Sequence, residues 1–297
     1  MSAEAQAAPP TTPAAPRVRS ERVRLLRVFG GNRIAVFGLA LAILVMLAAI
    51  GAPLITPLDP FEQSAVNRMD GPDAVHFMGR DTFGRDIFAR VLYAGRVSLL
   101  VGVLSVALGG VVGTLLGLIA GYSGRWLENL VMRAVDVLMA FPSLLLGLAV
   151  LAVLGAGLEK MIVAIGIVLA PPFARVVHGA TLSLKAREFV EAARCLGAGQ
   201  SRIVGRHILP NLSGETIVLA SLLTASAIRI EASLSFIGLG VSPPTPTWGN
   251  MIRDGAPLLL NSPWLSVFPG LAILVTVLAF NLMGDGLRDV LDPRSQQ

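Results

Sequence analysis

The stretch Ile34–Leu54, IAVFGLALAILVMLAAIGAPL, is 21 residues long and contains no charged side chain. As an α-helix rising about 1.5 Å per residue it would extend roughly 31 Å, which matches the hydrocarbon core of a bilayer. It is also longer than the apolar part of a cleavable signal peptide. We therefore interpret it as a retained transmembrane helix, which places the chain in lipid.

Five more apolar runs follow, and polar segments separate them. Hydrophobic residues make up 54% of the 297 residues and charged residues only 14%, whereas a soluble domain carries roughly 25% charged residues. The sequence therefore predicts an all-α membrane protein with six transmembrane helices, and Glu159 and Lys160 are interpreted as a tight turn between the third and fourth. The five later runs cover 97–124, 137–158, 161–180, 216–238 and 264–283.

The basic residues predict the orientation of the chain. Six arginines lie between Arg17 and Arg33, and others cluster at 181–212 and near the C-terminus. Because basic residues are enriched in cytoplasmic segments, we expect both termini and 181–212 in the cytoplasm. The segment 55–96 is then outside although it holds five arginines, since the opposite orientation would export the six N-terminal ones.

Four regions are predicted from composition. Ala, Pro and Arg dominate the first, which cannot form a packed core. The four regions are a disordered cytoplasmic tail at 1–30, the first transmembrane helix with an extracytoplasmic loop at 31–96, a five-helix core at 97–290, and a cytoplasmic tail at 291–297.

Four glycines in the second span recur at every fourth position and therefore share one face of a helix. Such a stripe allows two helix backbones to approach closely, so we expect tight helix packing there. The four residues are Gly109, Gly113, Gly117 and Gly121.

The segment 186–210 predicts two short helices joined by a turn. Gly197 suits the left-handed position that ends a helix. Ser201 can cap the second helix, and Pro210 is expected to stop it from continuing. Small apolar residues on the first helix predict that it lies in a groove on a partner protein.

This segment resembles the coupling loop of binding-protein-dependent ABC importer permeases. That loop reads E-A-A, three residues, G, nine residues, I, one residue, L-P, and the resemblance implies that it docks into a groove on an ATPase subunit and transmits its closure. One position departs, because His207 stands at the isoleucine and Ile208 follows it. The positions that match are Glu191, Ala192, Ala193, Gly197, Leu209 and Pro210.

Four further stretches narrow the resemblance to the dipeptide, oligopeptide and nickel permeases, specifically the subunit with the shorter outer loop. Together with the coupling loop, the resemblance covers about residues 30–290. The stretches are GRDTFGRD at 79–86, GRVSL at 95–99, EASLSFIGLG at 231–240 and PPTPTWGN at 243–250.

The resemblance implies a type I importer permease whose last five helices form the shared core. The chain would form half of a pathway for peptides in a bacterial or archaeal cell membrane. Its expected partners are a second homologous permease, two ATPase subunits that bind ATP and Mg, and an extracytoplasmic binding protein. No cofactor is expected on this chain.

Charged residues within spans are costly, at about 3 kcal/mol near a helix centre, and often mark a functional pathway. Asp136, Arg229 and Glu231 are therefore candidates to line the translocation pathway. Arg229 and Glu231 are two residues apart and are not expected to pair. The alternative is structural pairing between helices, for instance of Arg133 with Asp136.

Repeated Gly-Arg-Asp triplets place opposite charges beside apolar residues at the expected outer surface. They are interpreted either as an element at the substrate entrance that contacts the binding protein or as an interfacial helix held by Arg–Asp pairs. The candidate residues at the outer entrance are Arg80, Asp81, Arg85, Asp86 and Trp248.

Several other functions lack the residues that they need. A phosphate-binding loop requires Gly-Lys before Ser or Thr, but Lys160 and Lys185 follow Glu159 and Leu184, so ATP hydrolysis is expected on another chain. The three histidines and the single cysteine do not form a metal motif, and no hydrolase nucleophile motif is present. A membrane-anchored DNA-binding protein is disfavoured because spans flank 186–210 directly. An ion-coupled secondary transporter stays open, as does the substrate: dipeptide, oligopeptide, glutathione or nickel complex.

Overall fold

The computed structural model describes residues 32–291, and within them the chain is helical apart from loops and one isolated bridge between Arg80 and Asp86. The tail predicted at 1–30, and all but the first residue of the tail predicted at 291–297, lie outside these residues. The helices are α1 (Arg33–Ile50), α2 (Ala52–Ile55), α3 (Ile87–Tyr122), α4 (Arg125–Met139), α5 (Ser143–Leu154), α6 (Leu158–Lys185), α7 (Glu188–Cys195), α8 (Gln200–Ile203), α9 (Leu209–Ile237), α10 (Trp248–Gly255) and α11 (Trp264–Leu291), with a π turn at Val204–Ile208 and a 3₁₀ turn at Ala256–Leu258.

Five of the described helices are long and apolar enough to span a membrane, and a sixth span results if α4 and α5 count as one. The predicted all-α fold is therefore confirmed. The third span is not the single helix predicted at 137–158, because α4 and α5 meet at 98°. The chain breaks just before α5, where Pro142 has an extended ψ of 132°. Proline lacks an N–H and disfavours helix at the preceding residue, which explains the break.

Other boundaries also differ from the sequence prediction. An interfacial helix is one of the two interpretations of the Gly-Arg-Asp triplets. The helix that follows the second triplet is the first part of α3, which begins where Asp86 accepts a hydrogen bond from the backbone N–H of Ala89 at 2.6 Å. The turn expected at Glu159 and Lys160 lies earlier, at Gly155 and Gly157, whose φ angles of +85° and +140° favour glycine. The segment 239–263, which separates the last two predicted spans and is therefore expected to be a loop, contains α10.

The helix pair α3 and α6 is held by the predicted glycine stripe. A Cβ at Gly109 would lie 2.8 Å from the carbonyl oxygen of Gly166, and one at Gly117 would lie 2.6 Å from that of Ala174. Both contacts advance in the same direction along the two helices, so α3 and α6 run parallel. Only glycine permits backbones to approach so closely, and the prediction of tight packing is confirmed.

The bundle has two distinct ends. The loop end carries 56–86 and 238–263. There the indole Nε1 of Trp248 in α10 donates to the carbonyl oxygen of Val91, in the first part of α3, at 3.0 Å. The terminal end carries the start of α1 and the end of α11, joined by Asn32 and Asp289 at 3.2 Å. The helices α7 and α8 also lie at the terminal end.

Candidate functional site

Helix α7 is amphipathic and lies against the terminal end of the bundle. Val190 is fully buried and Ala193 is 9% exposed, and both pack with Ile203 and Leu212 in one apolar cluster. Ala192 lies on the opposite, exposed face of the helix. The inner face thus holds α7 in place and leaves an outer face available for a partner.

The turn after α7 has the conformation predicted at Gly197. Its φ is +79°, and the N–H of Ala198 donates to the carbonyl oxygen of Ala193 at 3.0 Å. A Cβ at Gly197 would meet no atom within 4 Å. The requirement for glycine is therefore conformational and does not come from packing.

The second predicted helix differs from expectation at both ends. Its N-cap is Gly199, without a side-chain hydrogen bond, so Ser201 is not the cap. Pro210 does not end the helix: α8 passes through the π turn into α9, and Pro210 lies in the first turn of α9. Proline is tolerated at a helix start because those N–H groups need no helical partner. The segment that resembles a coupling loop is consequently continuous with a membrane span.

His207 stands where the family pattern has isoleucine, but the next residue, Ile208, makes an apolar contact instead. Ile208 is fully buried in the cluster beneath α7. His207 is half-buried, with its ring 6.5 Å from that of Phe189. Leu209, by contrast, is 43% exposed.

Lys185 joins the ends of α6 and α3. Its Nζ donates to the carbonyl oxygens of Gly121 and Tyr122 at 3.4 and 3.0 Å, and it lies 5.2 Å from the centre of the Tyr122 ring. A cation at a helix C-terminus satisfies carbonyls that lack helical partners. The helix α7 therefore begins three residues beyond a residue that ends α6 and is hydrogen-bonded to the end of α3.

The exposed face of this region is partly apolar. Leu196 is 89% exposed and Phe189 is 39% exposed. Ala192 and Cys195 lie between them in sequence, and both are exposed. We define these four residues, together with Glu191, as the coupling surface.

The three candidate pathway residues occupy different surroundings. Asp136 forms an ion pair with Arg175, not with the predicted Arg133, and both side chains are about half exposed. Arg229 is exposed and donates to the Ser226 hydroxyl at 2.9 Å. The structure does not bring the three candidates together.

Glu231 lies inside this subunit with no exposed surface. Its Oε1 accepts a hydrogen bond from the Ser235 hydroxyl at 2.8 Å, and the hydroxyls of Ser98 and Thr247 also face the carboxyl group. These groups come from α3, α9 and the loop before α10. This arrangement favours a structural role that joins three elements over the predicted contact with a pathway.

We expect Glu231→Gln to leave folding and uptake close to normal, because an amide can accept from Ser235 and donate to a neighbouring hydroxyl. Glu231→Leu should lower stability by about 2 kcal/mol, since it leaves buried hydroxyls without a partner. Thermal unfolding and uptake of the two variants should be measured together. Loss of uptake by a fully stable Glu231→Gln protein would instead restore the pathway interpretation.

Asp81 is the centre of a buried ionic cluster at the loop end. Its Oδ2 lies 2.6 Å from Nε of Arg85 and 3.5 Å from Nε of Arg90. Its Oδ1 accepts from the backbone N–H groups of Phe83 and Arg85 at 2.8 and 3.0 Å. Arg90 also donates to the carbonyl oxygen of Pro60 at 3.2 Å. The sequence pattern predicted the Arg–Asp pairing but not the participation of Arg90.

A second cluster places His76 between the other two charged candidates. Its Nδ1 lies 2.8 Å from Oδ2 of Asp86, and its Nε2 lies 2.6 Å from Arg80. His76 and Asp86 are both buried. No spacing in the sequence indicated this contact, because the fold of 73–86 creates it.

Trp248 is 2% exposed and packs in the core at the start of α10. Its helix begins with reciprocal hydrogen bonds between Thr247 and Asn250. The indole of Trp248 is therefore inside the protein, and the predicted contact with a binding protein would have to come from its neighbours.

Comparison with known proteins gives the family. Residues 113–297 match the family described as "Binding-protein-dependent transport system inner membrane component". The chain belongs to this family of ABC transport permeases. Residues 23–72 also match the N-terminal transmembrane domain of oligopeptide transport permease C.

Curated relatives of this permease match over nearly its whole length. The dipeptide transport system permease protein of Alkalihalophilus pseudofirmus is 45% identical over 263 residues, which cover 89% of this chain and 86% of that protein. The glutathione transport system permease protein of Escherichia coli O157:H7 is 45% identical over 289 residues, which cover 95% of each. That of Pectobacterium atrosepticum is 42% identical over 285 residues, or 94% and 95% of the two proteins.

Solved structures show the same fold. A chain of the MetNI methionine ABC transporter in an inward-facing conformation superimposes with a TM-score of 0.55 at 20% identity. The match covers 66% of this permease and 94% of that chain. The permease is therefore a multi-span membrane protein with the fold of a type I importer subunit.

Proposed function

We propose that this permease forms half of the translocation pathway of an ATP-driven importer of short peptides. In this proposal a second permease completes the pathway, two ATPase subunits supply the energy, and an extracytoplasmic binding protein delivers the substrate. The observation that carries the proposal is the coupling element, in which α7 presents an exposed face while α8 continues directly into span α9.

Two features support a separate ATPase as the energy source. The sequence offers no Gly-Lys-Ser or Gly-Lys-Thr motif, and a phosphate-binding loop depends on that lysine. The coupling surface carries Leu196, which is 89% exposed and suits an apolar groove. Both features support hydrolysis on a separate subunit that docks at α7.

The peptide class rests on what the relatives transport. Dipeptides and glutathione are both short peptides that carry an amino group and a carboxylate. The two exposed charged candidates, Arg229 and Asp136, offer both signs of charge and are the residues that we propose for contact with such a substrate. Glu231 is no longer among them, because it is fully buried.

We propose that the terminal end faces the cytoplasm of a bacterial or archaeal cell and the loop end faces outside. Single cysteines at Ser64, Gln200 and Ala256, in a Cys195→Ser background, test this orientation. An impermeant thiol reagent outside intact cells should label positions 64 and 256 but not 200. Labelling at 200 with protection of the other two would reverse the topology.

Reconstitution tests the requirement for partners. The permease alone in liposomes is expected to show no uptake of the dipeptide Ala-Ala, whereas the full assembly with ATP should accumulate it. The dependence should be on ATP and not on an ion gradient. Uptake by the lone chain driven by a proton or sodium gradient would favour the secondary transporter instead.

A further inference from the structure

A cleft of about 490 Å³ opens at the loop end, between the segment 60–90 and α10. Its wall includes Arg85 and Arg90, and Arg253 and Asp254 also line it. None of these residues belongs to the coupling surface or to the candidate pathway pair Arg229 and Asp136. A volume of this size lies within the range of small-ligand sites, which is roughly 300–1,000 Å³.

The arginines at the cleft outnumber the aspartates that pair with them by one. Asp81 is shared by Arg85 and Arg90. Among residues 32–291, the ion pair of Arg253 is with its sequence neighbour Asp254, at 3.2 Å. Three guanidinium groups therefore face two carboxylates among the described residues.

The two wall arginines are held rigidly. Arg85 and Arg90 are 7% and 3% exposed. Each guanidinium has five N–H donors. The described contacts of Arg85 use its Nε, and those of Arg90 use its Nε and Nη1. Donors consequently remain for a further oxygen, on side chains whose position is already fixed.

We propose that this cleft binds a carboxylate. The planar donor fork of arginine matches the two oxygens of a carboxylate, and prior ordering reduces the entropy lost on binding. The inference rests on the proposed function for the source of that group, which is either the terminal carboxylate of a peptide or an acidic side chain of the binding protein.

Two adjacent substitutions of opposite sign test the cleft in the assembled transporter, held in nanodiscs. Arg253→Gln should weaken carboxylate binding about tenfold, the loss expected for one charge-assisted hydrogen bond. Asp254→Asn should strengthen it, because it frees Arg253 from its present partner. Arg253→Lys should recover most of the affinity, and Arg68→Gln, an exposed arginine of the same outer segment outside the cleft, should change nothing.

Two readouts distinguish the sources. Equilibrium dialysis measures binding of Ala-Ala and of its C-terminal amide, and only the free acid should respond if the peptide supplies the carboxylate. The affinity of the substrate-free binding protein should respond if that protein supplies it.

The inference is overturned if neither readout changes in Arg253→Gln and Asp254→Asn, if Arg68→Gln weakens binding equally, or if the wild-type assembly binds neither probe. Intact ATP-driven uptake in that last case would leave the proposed function standing, whereas absence of uptake by the wild-type assembly would refute the importer itself.

Discussion

A tryptophan in place of Ala192 is expected to abolish ATP-driven uptake while the permease remains in the membrane at normal amounts. Ala192 lies on the exposed face of α7, opposite the buried Val190, so the larger side chain leaves the fold of the subunit intact. It should instead prevent α7 from entering a groove on the ATPase. Copurification of the ATPase and substrate-stimulated ATP hydrolysis, measured together, test this expectation.

Gly197→Val provides a second way to disturb the same element. The φ of +79° costs a residue with a Cβ about 1 kcal/mol or more, so the turn between α7 and α8 should shift. Two controls separate docking from general damage. Ala192→Ser keeps the side chain small, and Gly205→Ala adds a Cβ in open space at an ordinary φ. Full transport by both Ala192→Trp and Gly197→Val would show that α7 is not the coupling element.

Gly113→Val is expected to destabilise the subunit by about 3 kcal/mol, at the upper end of the usual cost of overpacking. Its Cβ would lie 2.5 Å from the Cβ of Phe173 and still closer to the carbonyl oxygen of Ala170, so the backbones of α3 and α6 would have to separate. The amount in membranes and the unfolding temperature of the purified protein should both fall.

Gly179→Val is the matched control for this prediction. Gly179 also lies in a spanning helix, α6, but a Cβ there meets no atom within 4 Å. Its variant should therefore unfold at nearly the wild-type temperature. Equal destabilisation at Gly113 and Gly179 would mean that the close packing of α3 against α6 does not set the requirement for glycine at Gly113.

The sequence predicted those features that depend on local pattern. Apolar run length located the spans, the four-residue glycine period located the contact of α3 with α6, and a glycine after a helical segment located the turn at Gly197. Each of these features is specified within one segment. None requires knowledge of what lies across the bundle.

The features that sequence reasoning missed depend on direction or on distant partners. Hydropathy indicates that 137–158 is apolar but not that the chain turns by 98° within it, between α4 and α5. Pro210 predicts the end of a helix when only the sequence is known. The structure shows that a π turn precedes it and that a new helix begins there. The sequence does not show whether Glu231 faces a pathway or the interior of the subunit. The ion-pair partner of Asp136 is Arg175, which lies 39 residues away in the chain.

The close parallel contact of α3 with α6 makes these two helices a single rigid unit. A contact between side chains can adjust when their rotamers change. A contact between a glycine and a backbone carbonyl has no side chain that could adjust in this way. Lys185 bonds the ends of the two helices together. If α7 is the docking site proposed above, a force applied to α7 would therefore act on both helices and reach the far end of α6, about 42 Å away. We expect any conformational change during transport to occur outside this rigid pair, at the 98° break between α4 and α5 and at the π turn before α9.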